Sequence, residues 1–116
     1  AICGRICPHE KQCEGSCIRG IKGEPVSIGA MEAYIGDLSI ENNYELSIEV
    51  DERTKDKRVA VIGSGPAGLT CAAFLARKCV KVTIYEKHDK LGGLLTHGIP
   101  EFRLPREVVE KTIEKI

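Results

Sequence analysis

No charge of either sign predominates in this 116-residue sequence, in which seventeen Lys and Arg balance seventeen Asp and Glu. With a pI near 7.0 it has no electrostatic footprint for nucleic acid. No apolar run approaches the ~18 residues of a membrane span, and the start is not a charged segment followed by an apolar one. These absences predict a soluble, cytoplasmic chain with no membrane partner. There is no C-x-x-C pair, which argues against a redox-active dithiol, and no internal repeat or low-complexity tract. There is also no initiator Met, and the sequence stops inside a helical pattern, which reads as a fragment.

Cysteine is present and unevenly placed. Cys3, Cys7, Cys13 and Cys17 fall within fifteen residues, against Cys71 and Cys79 elsewhere. Residues 1–23 hold few large apolar side chains, so burial alone would not fold them and a covalent or metal staple is expected. Charge is also uneven, since residues 24–52 carry eight acids and no Lys or Arg, which reads as a solvated face. A helix is expected next, with Pro25 in its first turn and Ile28, Met31, Ile35 and Leu38 on its packing face; Asn42 and Asn43 end it. "YELSIEV" alternates like a strand, or like a linker lying extended over a surface, and "DERTKDKR" reads as a solvated connector. The domain boundary falls near Lys55, giving domains 1–54 and 55–116.

From Arg58 the pattern sharpens. "RVAVIG" is a β-branched run suited to a strand buried on both faces, "PAGLTCAAFLARK" a helix packing through Leu69, Ala72, Ala73, Leu75 and Ala76, and "KVTIYE" a second strand. That order implies a parallel βαβ unit. The turn between strand and helix is "GSGPAG", whose three glycines serve different ends. Gly63 permits the tight turn, Gly65 lets backbone approach a pyrophosphate, and Gly68 lets helix and strand pack closely. The helix start adds unpaired N–H groups and a positive dipole end. Eighteen residues after Gly68, Glu86 ends the second strand, where a carboxylate can accept hydrogen bonds from an adenosine ribose. Gly92 and Gly93 offer a second close approach of backbone to a bound cofactor. Pro100 and Pro105 frame a rigid turn, and Pro105 opens a helix carrying Val108, Val109, Ile113 and Ile116. His97 reads as a surface or backbone-bonded histidine, and Cys71 and Cys79 as small packed thiols.

Three chemistries compete for the N-terminal thiols. Disulfides fit poorly beside a cytosolic nucleotide-binding fold. Zinc remains open, because C-x3-C pairs lie within its range of spacings. The Cys7-Pro8 step favours iron and sulfur, and a one-electron carrier is the natural partner of a flavin.

The string from Val59 to Gly93 resembles the FAD-binding form of the dinucleotide fold, with Cys79 standing where that pattern usually has a left-handed Gly. Together with "CGRICPHEKQCEGSCIRGIKGEPVSIGAMEAYIGDL" it resembles the small subunits of NADPH-dependent glutamate synthase. It is also similar to the N-terminal part of dihydropyrimidine dehydrogenase and to the large subunit of electron-bifurcating ferredoxin:NADP oxidoreductase. The resemblance implies an α/β chain in which a helical iron-sulfur module is followed by a truncated FAD/NAD(P)-binding Rossmann-like βαβ unit. It implies FAD held by Gly63, Ser64, Gly65, Pro66, Ala67, Gly68, Glu86, Lys87, Gly92, Gly93 and Leu94, with NADPH bound outside these residues. It further implies [4Fe-4S] ligation by Cys7 and Cys13 at one cluster and Cys17 at another, with Glu32 a non-cysteine candidate and Cys3 ranked last. The implied partners are a large glutamate synthase subunit or another electron acceptor, and the rest of its own chain or another protomer to complete the sheet. A related reductase acting on ferredoxin or a pyrimidine is the neighbouring alternative, and a non-catalytic zinc- and nucleotide-binding module the more distant one.

Overall fold

The computed structural model describes residues 2–44 and 52–116 and divides into two units, Ala1–Tyr44 and Glu45–Ile116. The strand pattern read in "YELSIEV" lies, apart from Tyr44, outside the described residues.

In the first unit a short helix, α1 (Cys3–Ile6), packs on a longer one, α2 (Ile28–Glu41). The contact is made by small residues. A Cβ on Gly4 would fall 2.6 Å from the backbone nitrogen of Ala33 and 2.7 Å from the carbonyl oxygen of Gly29, so the two backbones touch directly. The Arg5 guanidinium pairs with Asp37 across the same contact. Two single-turn 3-10 segments, His9–Lys11 and Ile18–Ile21, carry the chain between the helices. Among the described residues of this unit only Gly29 is buried, as expected of a segment with too little apolar bulk to form a core.

Two details of α2 differ from the sequence expectation. It starts at Ile28 after Ser27, so Pro25 lies upstream of the first turn. Its apolar stripe also faces outward, with Ile28, Met31 and Ile35 all exposed. Close approach to α1 selects the small-residue side, and a long side chain there would hold the backbones apart. Asn42 does cap the helix, and Asn43 turns left-handed at φ 50°.

The second unit is built on β1 (Arg58–Ile62), α3 (Pro66–Arg77) and β2 (Lys81–Tyr85). The strands are parallel, with Val61 opposite Ile84 and Ile62 opposite Tyr85. Leu69 and Ala72 of α3 are buried, as is Val61 of β1. Burial of β1 on both faces is corrected: Ile62 is 82 % exposed, because α3 covers one face of a sheet that has two strands among the described residues. Cys79 adopts φ 58° at the helix exit, the left-handed conformation expected of that position.

Two further helices follow, α4 (Leu94–His97) and α5 (Arg106–Glu114). Pro105 precedes α5 as expected, although Ile116 lies beyond its end. The Pro100 carbonyl accepts from the amides of Arg103 and Leu104, closing the turn that buries Leu104 completely. With Leu95 and Val109 it forms a small second core, and Arg106 donates to the Leu95 carbonyl at 2.9 Å.

Candidate functional site

Both chemistry-bearing segments of the second unit leave the same end of the parallel pair. The Gly63 amide donates to the Tyr85 carbonyl at 2.7 Å, extending the ladder one step before the chain turns at φ +92°. Only glycine adopts that conformation without strain. The next two glycines are constrained in opposite ways. A Cβ on Gly68 would run into the Gly63 carbonyl oxygen and lie 3.3 Å from Val61, so this position is needed for helix-strand contact. A Cβ on Gly65 would meet nothing within 4 Å, although its φ of −67° suits any residue. Space is kept open there, in front of the first turn of α3, whose leading amides have no intrahelical acceptor. Pro66 opens that turn at no cost in hydrogen bonds.

The Gly92-Gly93 segment closes the other side. Gly93 has φ +52°, and a Cβ there would lie 2.8 Å from the Gly65 Cα. Gly92 has φ +109° and is backed by Thr96 and by Val109 of α5. Glycine at this pair therefore lets one loop rest on the other. Leu94 follows them and is 67 % exposed, while the Lys87 amide lies at the Glu86 carboxylate.

Ser64 lies behind this cradle with 0 % exposure. Its amide donates to Glu86 Oε2 at 2.9 Å and its hydroxyl donates to the same oxygen at 2.5 Å. The Gly92 amide donates to both the Ser64 carbonyl, at 3.1 Å, and its Oγ, at 3.2 Å. Glu86 Oε1 accepts from the His88 amide at 2.9 Å. The Ser64 hydroxyl, with the amides of His88 and Ser64, holds the Glu86 carboxyl at a pKa of about 2. The acid is thus a fixed anion at neutral pH. His97 is exposed, its Nε2 lying 3.3 Å from the Lys90 carbonyl and its ring 4.9 Å from that of His88.

In the first unit the thiols fall into two environments. The Cys7 thiol is pushed up by burial and by the like charges of Cys13, Cys3, Glu10 and Glu32, which places those groups in one neighbourhood. Cys17 is shifted in the opposite direction. Its Sγ accepts from the Val26 amide at 3.5 Å, and this bond, with the Arg19 and Gly20 amides, lowers its pKa. The thiolate is the metal-binding form, and backbone N–H groups directed at sulfur are the support an iron-sulfur ligand needs. Among the described residues no three Cys, His, Asp or Glu side chains converge closely enough to enclose an ion. The donor chemistry, thiols with backbone N–H groups directed at sulfur, fits a cluster. Glu14, unremarked in the sequence, accepts from the Gly29 amide at 3.0 Å and so ties the cysteine loop to the start of α2.

Comparison with known proteins agrees with both halves. Residues 1–44 match the family model described as dihydropyrimidine dehydrogenase domain II, 4Fe-4S cluster, and residues 61–110 match an NAD(P)-binding Rossmann-like domain. Over 113 residues the chain is 43% identical to the glutamate synthase [NADPH] small chain of Escherichia coli (strain K12), covering 97% of this chain and 24% of that one. Over nearly all of its length the chain is similar to glutamate synthase small chains. The corresponding protein of Halomonas elongata is 44% identical over 95% of this chain and 23% of its own. The NAD-dependent dihydropyrimidine dehydrogenase subunit PreT of Escherichia coli (strain K12) is 40% identical over all of this chain and 28% of its own. The chain thus spans about a quarter of the length of these relatives, and its fold class is a 4Fe-4S-type helical unit followed by a Rossmann-like unit. No helix among the described residues is long and apolar enough to cross a membrane.

Proposed function

We propose that this chain is the N-terminal segment of an NAD(P)H-dependent flavin and iron-sulfur oxidoreductase of the glutamate synthase small-subunit type, acting in the cytoplasm. The observation that carries the reading is the pairing, in one chain, of a thiol-rich helical unit matching a 4Fe-4S family with an open glycine cradle at a helix start.

In this reading residues 1–54 form the C-terminal part of the iron-sulfur module with a linker, the remaining cluster ligands coming from outside these residues, and residues 55–116 begin the FAD-binding domain. Gly63, Gly65, Pro66, Ala67 and Gly68 present backbone to a pyrophosphate, while Glu86 and Lys87 face the adenosine ribose and Gly92, Gly93 and Leu94 cover the other side. Cys7 and Cys13 serve one cluster and Cys17 another, with Glu32 an oxygen ligand and Cys3 last in rank. A bound flavin supplies the exchange between hydride-borne electron pairs and single electrons that such clusters pass on. NADPH binds outside these residues. Two parallel strands do not make an independently stable sheet, so further strands come from the rest of the polypeptide or another protomer. The acceptor is a partner subunit, in the glutamate synthase reading its large chain.

Anaerobic isolation of a protein of the relatives' length carrying this segment tests the proposal. Iron with equal acid-labile sulfide and stoichiometric FAD is the expected result. Zinc without sulfide overturns the electron-transfer reading in favour of a metal- and nucleotide-binding module, and colourless, flavin-free protein overturns it altogether.

A further inference from the structure

We propose that Ser64 is the positioning residue of the nucleotide cradle: it fixes which oxygen of Glu86 meets a ribose hydroxyl and holds the Gly92-Gly93 segment in place. The inference rests on the cradle reading above and adds to it a division of labour between the two oxygens of one carboxylate.

A carboxylate offers about four lone-pair sites, two on each oxygen. Glu86 Oε2 spends both on Ser64, one on its amide and one on its hydroxyl. Oε1 accepts from the His88 amide, with the Lys87 amide adding a weaker pull on the carboxylate, and it carries no bond from Ser64. The remaining acceptor site is therefore on Oε1, the oxygen turned away from Ser64. The hydroxyl contact has the length of a charge-assisted O–H···O⁻ bond, about twice as strong as a neutral one. Having donated its only proton to Glu86, the Ser64 Oγ accepts the Gly92 amide. One fully buried side chain thereby sets both the acid and the covering loop. A Cβ on Gly65, the next residue, would meet nothing within 4 Å.

A ribose diol donates to Oε1, whereas a nucleotide without those hydroxyls gains nothing from the arrangement. Without the Ser64 hydroxyl the carboxylate keeps only its backbone N–H partners, is held less firmly, and offers the diol a poorer acceptor. Ser64, one of the residues of the FAD-holding loop, acts in this account through Glu86.

The test uses the deflavinated full-length protein and two probes, ADP and 2′,3′-dideoxy-ADP, measured by calorimetry at neutral pH. Wild-type protein is expected to prefer ADP by about tenfold, the size of one charge-assisted hydrogen bond. In Ser64→Ala the preference is expected to fall to about twofold or less, with dideoxy-ADP affinity changed by less than about threefold. A Ser64→Ala variant that keeps the wild-type preference overturns the proposal and leaves the cradle reading intact. Equal loss of both nucleotides reduces Ser64 to a structural part and also overturns it. Ser64→Cys, which keeps a side chain at the site but donates weakly, gives the same readout if the alanine variant does not fold. Wild-type protein that binds neither nucleotide and carries no flavin overturns the cradle reading itself.

Discussion

Gly93 rests against Gly65 so closely that a Cβ on the first would lie 2.8 Å from the Cα of the second. Because Gly93 also has φ +52°, Gly93→Ala meets both a steric block and a backbone penalty. The expected result is destabilisation by about 1–3 kcal/mol together with loss of bound FAD. Thermal unfolding and flavin absorbance check the two effects.

The glycine loop separates a folding glycine from a binding one. Gly65→Val should cost the ligand-free protein no more than about 1 kcal/mol, since its Cβ enters open space and what is lost is the preference for glycine at the helix N-cap, yet abolish FAD binding. Gly68→Ala should do the reverse in order of cause, destabilising by about 1–3 kcal/mol because its Cβ meets the Gly63 carbonyl and Val61. Urea unfolding of both variants, stripped of flavin, distinguishes them. Equal stability losses would remove the distinction.

Cys79 is a non-glycine residue at φ 58°. Relieving that conformation is worth about 1–2 kcal/mol, while the freer unfolded chain of a glycine costs about 0.4–1 kcal/mol. Cys79→Gly should therefore stabilise by about 0.5–1 kcal/mol, seen as a rise in the unfolding midpoint.

Glu86 predicts a direction in acid. Its folded pKa of about 2 lies below the ordinary value of 4.5, so its contribution is fully present above about pH 4.5 and drains away as pH falls through 2. Glu86→Gln removes that dependence. A stability-versus-pH series should show a shallower acid slope for the variant than for wild type between those values, and identical slopes would contradict the hydrogen bonds from Ser64.

For the thiols, Cys13→Ser in the full-length protein should lose cluster iron, whereas Cys3→Ser should retain it. Iron and sulfide assays on both variants decide the ranking, and equal losses would place Cys3 among the ligands.

Much of the second unit was legible because each signal had one local cause. The β-branched runs, the glycine spacing, the left-handed exit at Cys79 and the Pro105 helix start depend on neighbours in sequence, and all recur in the structure. Where the reading failed, the deciding partner was remote. Periodicity showed that Ile28, Met31 and Ile35 share a face of α2, but which face meets α1 was decided by Gly4 against Gly29 and Ala33. Small residues carry no hydrophobic signal, so that contact was silent in the pattern. Likewise β1 looked buried on both sides because its composition suits a covered sheet, and the exposure of Ile62 reflects what surrounds it in this chain. Ser64 was recognised only as a member of the glycine loop. Its burial and its hydrogen bonds depend on Glu86 and Gly92, which lie 22 and 28 residues away.

That span of 28 residues between Ser64 and Gly92 encloses all of α3 and β2. In the proposed reading the nucleotide cradle is therefore completed only by a chain whose crossover has already closed, and a half-folded polypeptide lacks it. By mass action such a ligand draws the population toward the finished state, adding about 2.7 kcal/mol when it is present at about a hundredfold over its dissociation constant. In the proposed reading, supply of the nucleotide cofactor then raises the share of protein in the finished state.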